Sequence, residues 1–260
     1  MVRRIIELHQ PSKEEIHLEI GAGRGELTSS LAEKVGFLYA VEFDRELIPS
    51  LKEKMKERKN VRIIEGDILK IDIRKLVSEE KRLSRKLRVI GNLPYNIATK
   101  IIAHILSYRD IISDLTFTLQ KELAERMVAK PRTKAYGELS LFIQYHLEPK
   151  VCFFIPKRAF TPPPKVENVL IRFRVREEPL VKVADEKEFF RLIRISFAQR
   201  RKTIENNLIP YLRLSRDEVR RVLEKAGIPY RFRAEEIDIA GFSRLLDTIK
   251  QNRKEKEGGR

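Results

Sequence analysis

Glu19-Ile20-Gly21-Ala22-Gly23-Arg24-Gly25 closes one short apolar stretch and opens an amphipathic one. Residues 17–20 read as a β-strand and the glycines as a sharp turn whose backbone can approach a ligand closely. Residues 27–35 read as the helix that follows. The spacing is Gly-x-Gly-x-Gly, not the Gly-x-Gly-x-x-Gly of dinucleotide binders, and alone it fits an ordinary strand-to-helix turn equally well. Its surroundings carry more weight. Strands are read again at 37–42, 61–65, 87–91 and 115–119, with amphipathic segments between them. One such segment has Leu47, Ile48, Leu51 and Met55 on a single face, Asp44 as its cap and Pro49 in its first turn. Alternation of this kind predicts a parallel sheet with helices on both faces, a Rossmann-like α/β domain.

Beyond a helix at 121–129 the pattern changes. Residues 139–147, 150–155 and 169–175 read as strands that finish the sheet in antiparallel fashion. Pro162-Pro163-Pro164 is a rigid elbow that cannot donate to a ladder. Glu177-Glu178-Pro179 marks a boundary. A first domain over 1–178 and an all-helical second domain over 179–260 are expected. Helices are read in the second at 187–198, 202–208, 216–226 and 240–250, with a polar, frayed tail from 251.

Three strand ends converge in such a sheet. Glu42 ends the second strand and can accept both hydroxyls of a ribose, while Asp67, after Gly66, can accept from an adenine amino group. No Gly-Lys-Ser/Thr follows the glycine loop to hold phosphates. A nucleoside pocket without a phosphate site favours S-adenosylmethionine (SAM) over ATP or NAD. The plainer alternative is that Glu42 and Asp67 are solvated strand ends or helix caps.

Gly91-Asn92-Leu93-Pro94-Tyr95 follows the fourth strand. An exocyclic adenine amine is a weak nucleophile because its lone pair is delocalised into the ring. The Asn92 side-chain oxygen and a backbone carbonyl can each accept one amine hydrogen and so aim that lone pair at a sulfonium methyl. Pro94 helps fix the loop, and Tyr95 offers a ring on which an extruded base can stack. Catalysis of this sort is positioning for in-line displacement and needs no metal. An ordinary Asn-Leu-Pro-Tyr turn is the alternative.

Lys and Arg number 54 against 38 Asp and Glu, a formal charge of +16. Surface ion pairing explains a high total charge but not a lopsided sign, so a polyanionic partner is expected. No apolar run approaches a membrane span, and neither a signal peptide nor a membrane partner is expected. The single cysteine, Cys152, sits in an apolar run, and His9, His17, His104 and His146 lack metal-ligand spacing. Together these suggest a reducing, cytoplasmic setting without a structural metal. Arg191, Arg194, Arg200, Arg201 and Lys202, then Arg213, Arg216, Arg220, Arg221 and Lys225, fall at spacings that put several on one helix face. They can track RNA phosphates, or they can form a solvated face with Glu218 and Glu224.

Asn92-Leu93-Pro94-Tyr95 together with the glycine loop resembles the rRNA adenine N6-dimethyltransferases, and within them the KsgA type. That type dimethylates two adjacent adenosines in a hairpin near the 3′ end of small-subunit (16S) rRNA. Val41-Glu42-Phe43-Asp44, Gly66-Asp67, Gln120-Lys121-Glu122 and Tyr136-Gly137-Glu138-Leu139-Ser140 are similar to the family's blocks. So are Phe160-Thr161-Pro162-Pro163-Pro164-Lys165-Val166, Phe197-Ala198-Gln199-Arg200-Arg201-Lys202-Thr203 and Asn206-Asn207-Leu208. The resemblance implies a class I SAM-dependent methyltransferase domain whose cofactor contacts are Glu19, Gly21, Ala22, Gly23, Glu42, Phe43, Gly66, Asp67, Ile68 and Asn92. It implies Asn92, Leu93, Pro94 and Tyr95 as the catalytic loop, and Tyr95 with Phe160 as base-stacking partners. Arg194, Arg200, Arg201, Lys202, Arg220 and Arg221 would contact RNA. It further implies a role on the pre-30S particle in ribosome biogenesis; for an RNA-facing enzyme of this size a monomer is expected. A large-subunit enzyme of the erythromycin-resistance type and a catalytically weak assembly factor are the rival readings. Family members carry a Gly-Gln-His-Phe-Leu segment near the start. None precedes Met1-Val2-Arg3-Arg4-Ile5-Ile6, and His9-Gln10-Pro11 does not match it; either the sequence starts late relative to the family or the protein lacks this lid, and only the second alternative implies weakened SAM binding or loss of activity.

Overall fold

A computed structural model describes residues 1–78, 86–159 and 163–258. In chain order the elements are α1 (Val2–His9), β1 (Ile16–Ile20), α2 (Glu26–Ala32), β2 (Phe37–Glu42), α3 (Ile48–Met55), β3 (Val61–Glu65), α4 (Ile73–Ser78), β4 (Leu87–Asn92), α5 (Ala98–Leu106) and β5 (Ile112–Gln120). They continue as α6 (Lys121–Val128), α7 (Glu138–His146), β6 (Leu147–Ile155), β7 (Asn168–Val175), α8 (Glu186–Ser196), α9 (Ile204–Leu212), α10 (Arg216–Lys225) and α11 (Ile239–Gly258). The chain forms two compact units, Met1–Ala124 with Glu148–Val175, and Glu125–Leu147 with Arg176–Arg260. The second break lies close to the expected boundary at 178. Residues 125–147, read from sequence as part of the first domain, pack with the helical one.

In the first unit the strands run in the order β3-β2-β1-β4-β5-β7-β6. β1 is parallel to β2 on one side and to β4 on the other. The chain therefore reverses its direction of winding between β1 and β4, where a crevice opens beyond the carboxyl ends of the strands. All five residues of β1 are buried, as expected of a strand covered on both faces. β7 joins β5 antiparallel, Phe117 against Ile171, as the sequence pattern predicts.

Helix α1 packs on this sheet through Ile5 and Ile6, which share a core with Leu31, Ile90, Phe153 and Leu170. Its far end is held electrostatically. Buried Arg88 donates to the carbonyls of His9 and Gln10, to Glu15 Oε2 at 2.9 Å and to Asp114 Oδ2 at 2.8 Å. His17 lies beside it, fully buried, with neither ring nitrogen hydrogen-bonded among the described residues. Burial, reinforced by the Arg88 guanidinium, pushes the His17 pKa down to about 3, and burial likewise holds His9 well below the ordinary range. The unfolded chain binds a proton at His17 below about pH 6.5 while the folded one does not, so folding weakens as pH falls from 6.5 toward 3. At pH 5 this costs about 2 kcal/mol. Glu19 acts in the opposite sense, because its buried carboxyl stays protonated up to about pH 8. The comparison that isolates His17 is with His17→Met. In urea titrations its stability relative to wild type is expected to improve by about 2 kcal/mol between pH 7.5 and 5; a constant difference contradicts the assignment.

In the second unit one expectation fails. Of residues 139–147, read as a strand from their Leu, Phe, Ile and Tyr content, all but Leu147 lie in helix α7. The Ser140 hydroxyl accepts from the Gly137 N–H and donates to the Arg126 carbonyl, and Gln144 donates to the carbonyls of Met127 and Ala129. Leu141 and Tyr145, one helical turn apart, enter a core with Phe189, Leu192 and Phe242. Tertiary contacts override β-propensity here. Nor does the tail fray at 251. Helix α11 runs to Gly258, with Arg253 on Glu188 at 2.8 Å and Lys225 on Glu255 at 3.7 Å. The helical reading of 187–198 and 216–226 holds within two residues, while the helices read at 202–208 and 240–250 extend further, to Leu212 and Gly258.

Candidate active site

Backbone hydrogen bonds tie the strand ends together. The Gly21 and Ala22 N–H groups donate to the Val41 carbonyl, and the Gly66 N–H to the Glu42 carbonyl. Gly21 has φ +76°, a conformation that favours glycine, and a Cβ placed there would stand 3.3 Å from the Asn92 carbonyl oxygen. At Gly91 a Cβ would lie 2.3 Å from the Ile20 carbonyl oxygen; only glycine lets β4 lie that close to β1. The glycine loop and the Asn92 turn are thus brought against one another by the residues that form them.

A cavity of about 340 Å³ opens where they meet. Gly21, Ala22, Gly23, Gly91 and Asn92 line it, with Glu19, Thr116 and Thr118 below and Met1, Val2 and Ile5 of α1 along one wall. Glu19 is 1% exposed, and its Oε2 has no hydrogen-bond partner among the described residues. Burial raises its pKa to about 8. A buried carboxyl with an orphaned oxygen, facing a cavity, is suited to a cation.

Glu42 is nearly buried behind the loop. One carboxylate oxygen accepts from the Gly23 N–H at 2.7 Å and the other from the Asp44 N–H at 2.8 Å. Its charge therefore stabilises the glycine turn while each oxygen retains a further lone pair. Phe43 beside it is 75% exposed, unusual for so large an apolar ring. Asp67 accepts from the Leu69 N–H at 3.0 Å and starts a single 3₁₀ turn over Ile68–Lys70, whose Ile68 is buried. Asp44 likewise forms a local turn, to the Glu46 N–H, and Leu47 rather than Asp44 precedes α3.

Asn92 is the last residue of β4 and its side chain is exposed. Leu93 is buried, and its N–H donates to the Thr118 carbonyl at 3.3 Å. The Pro94 carbonyl accepts from the Ile97 N–H, and the Tyr95 ring is 56% exposed. Phe160 lies outside the described residues. The sequence reading missed Thr116, Thr118 and the α1 wall. The signal for the threonines was present: two hydroxyls two residues apart, hence on one face, alternating with Leu115, Phe117 and Leu119.

In the helical unit, Arg200 donates to the carbonyls of Lys134 and Tyr136 and pairs with Glu235 at 2.9 Å. Arg220 pairs with nearly buried Glu205 at 2.7 Å and stacks over Tyr230. Arg194 pairs with Glu138 at 3.1 Å. Arg201, Lys202 and Arg221 are exposed.

Comparison with known proteins agrees with this geometry. The family described as ribosomal RNA adenine dimethylase matches residues 1–251. The protein named ribosomal RNA small subunit methyltransferase A from a Geobacillus species is 40% identical over 252 residues, covering 96% of this chain and 87% of that protein. The protein of the same name from Streptococcus gordonii is 37% identical over 253 residues, with the same two coverages. The crystal structure of a dimethyladenosine transferase from Plasmodium falciparum superposes with a TM-score of 0.80 at 22% identity, covering 96% of this chain and 95% of that one. With a mixed sheet switched at β1 and β4, and a cavity walled by the glycine loop and by Asn92 at the head of an Asn-Leu-Pro-Tyr turn, the chain belongs to the ribosomal RNA adenine dimethylase family.

Proposed function

We propose that this rRNA adenine dimethylase methylates N6 of two adjacent adenosines in a 3′-terminal hairpin of small-subunit rRNA, acting as a cytoplasmic monomer on the pre-30S particle. The observation that carries the reading is the single cavity shared by the glycine loop and Asn92. Glu19 fits the cationic end of SAM, and the remaining lone pairs of Glu42 fit ribose hydroxyls. The exposed ring of Phe43 supports a role in covering the adenine, with Gly66, Asp67 and Ile68 reading its amino edge. SAM, when bound, supplies an electrophilic methyl on a sulfonium sulfur.

The chain's own contribution is to present the acceptor amine. The Asn92 side-chain oxygen and the Leu93 carbonyl each accept one hydrogen of the adenine amine, which turns its lone pair toward the methyl. The bond from the Leu93 N–H to the Thr118 carbonyl holds the Asn92–Leu93 peptide in place. The ring of Pro94 restricts the loop just beyond the Leu93 carbonyl. Nitrogen–carbon bond formation and carbon–sulfur bond cleavage then need only alignment, and the amine proton passes to water. The exposed ring of Tyr95 is available to the flipped base, with Phe160 as the second stacking partner. Arg201, Lys202 and Arg221, with Arg194, serve as phosphate contacts. Arg200, in the turn between α8 and α9, and Arg220, on α10, act chiefly by tying the helical unit together.

Methylation-deficient 30S subunits incubated with the protein and labelled SAM test this. Label on paired adenosines near the 3′ end of the small-subunit rRNA is expected. Label on large-subunit RNA, or binding without label, rejects it. Glu42→Ala is expected to raise the SAM dissociation constant by about tenfold or more, since hydrogen bonds to a charged acceptor are lost. Calorimetry showing unchanged affinity refutes the ribose assignment.

A further inference from the structure

Three residues stand in one row across the floor of the cavity. Glu19 on β1 is in register with Ile90 on β4, and Ile90 with Thr116 on β5. Registered neighbours on parallel strands point to the same side of the sheet, about 4.8 Å apart per strand. Glu19 and Thr116 therefore rise on either side of the Ile90 side chain, with their strands roughly 9.6 Å apart. Both line the cavity. At one end of the row is a buried carboxyl whose Oε2 has no partner among the described residues. The other end is a hydroxyl.

That hydroxyl has a fixed polarity. The Thr116 Oγ1 lies 2.9 Å from Nδ1 of His9, and both residues are buried. Nε2 of His9 has no partner among the described residues. The ring is neutral, because burial and the Arg88 guanidinium disfavour its charged form. One ring nitrogen then carries a hydrogen and the other does not. A hydrogen on Nε2 would be a buried donor without an acceptor, which is costly. A hydrogen on Nδ1 is bonded to Thr116, and Asp114 Oδ1, 4.0 Å away, favours it further. His9 thus donates to Thr116, and the threonine's own hydrogen is left for the cavity.

A carboxyl that attracts a cation and a hydroxyl poised to donate, set apart over an apolar floor, is the recognition pattern of an α-amino-acid zwitterion. Two hydrogen bonds of about 2.8 Å and the zwitterion between them fill the gap. We propose that Thr116 binds the carboxylate of the amino-acid end of SAM, with His9 as the positioning residue that orients its hydroxyl and Glu19 opposite on the ammonium. The proposal rests on the methyl-transfer reading above, and the test separates the two.

The test uses calorimetry with two ligands, SAM and 5′-methylthioadenosine, which lacks the amino-acid end. Thr116→Val is expected to weaken SAM by about tenfold, as for a hydrogen bond to a charged group, and to leave methylthioadenosine within about twofold. Thr116→Ser keeps the hydroxyl and restores SAM affinity. His9→Asn, which retains a donor near the Nδ1 position, stays close to wild type, whereas His9→Leu weakens SAM alone. If Thr116→Val binds SAM like wild type, or loses both ligands alike, the assignment to the carboxylate is wrong while the methyl-transfer reading stands. If the folded wild-type protein binds neither ligand, both fall.

Discussion

Asn92→Ala is expected to lower the rate of methyl transfer by about 10³-fold, the scale seen when one preorganised hydrogen-bonding group facing the reacting atoms is removed. The SAM dissociation constant should stay within a few fold. The separation follows from position. Asn92 ends β4 with its side chain exposed, so truncation opens no core cavity. Its backbone remains paired with Thr118 on β5. Gly21 still packs against the Asn92 carbonyl oxygen, because that oxygen belongs to the main chain. What disappears is one acceptor for the adenine amine, an interaction that gains strength only as the nitrogen moves away from planarity. Losses of that type appear in kcat rather than in ground-state binding. Asn92→Asp retains an oxygen at the same place and should fall between wild type and alanine. Single-turnover transfer to deficient 30S subunits, with SAM binding measured separately, decides the point. Normal turnover in Asn92→Ala removes the basis of the proposed chemistry.

Much of this site was legible in the sequence because it is made of local features. Gly21 follows, and Glu42 and Asn92 end, a strand whose apolar run announces it, and the order of those strands fixes which ends meet. The parallel-then-antiparallel sheet followed for the same reason. The remainder depends on contacts distant in sequence. Nothing near Glu138 shows that Ser140 and Gln144 will bond carbonyls of the preceding helix, so α7 reads as a strand until those partners are in place. The arginine periodicity of the helical unit does not distinguish Arg200, spent on Glu235 and two carbonyls, from its exposed neighbour Arg201. The wall formed by α1 was invisible for a related reason. Its apolar stripe announces a helix but not the surface it covers, and what holds it there is Arg88, about 80 residues away in sequence.

That arginine carries the second large effect. Arg88→Met is expected to destabilise the protein by about 3–5 kcal/mol, the cost of breaking a buried ion pair from one side. Arg88 is 5% exposed, and it faces Asp114 and Glu15 together with the last carbonyls of α1. Methionine fills the volume of its stem but leaves two shielded carboxylates and the negative end of a helix without their donor. Arg172 still reaches Asp114 at 3.2 Å, so Glu15 and the α1 carbonyls lose most. The same variant removes a positive charge that helps depress His9 and His17, so the penalty should shrink as pH falls toward 5. It should also loosen α1, whose Met1, Val2 and Ile5 wall the cavity, and weaken SAM binding without altering any group that touches the acceptor amine. Adding Asp114→Leu to Arg88→Met should recover part of the lost stability, because a paired replacement by apolar groups leaves fewer charges stranded. Urea titrations of the single and double variants measure this directly. A loss below about 1 kcal/mol in Arg88→Met would show that solvent or Arg172 already satisfies these carboxylates, and that the α1 wall is held by its apolar stripe alone.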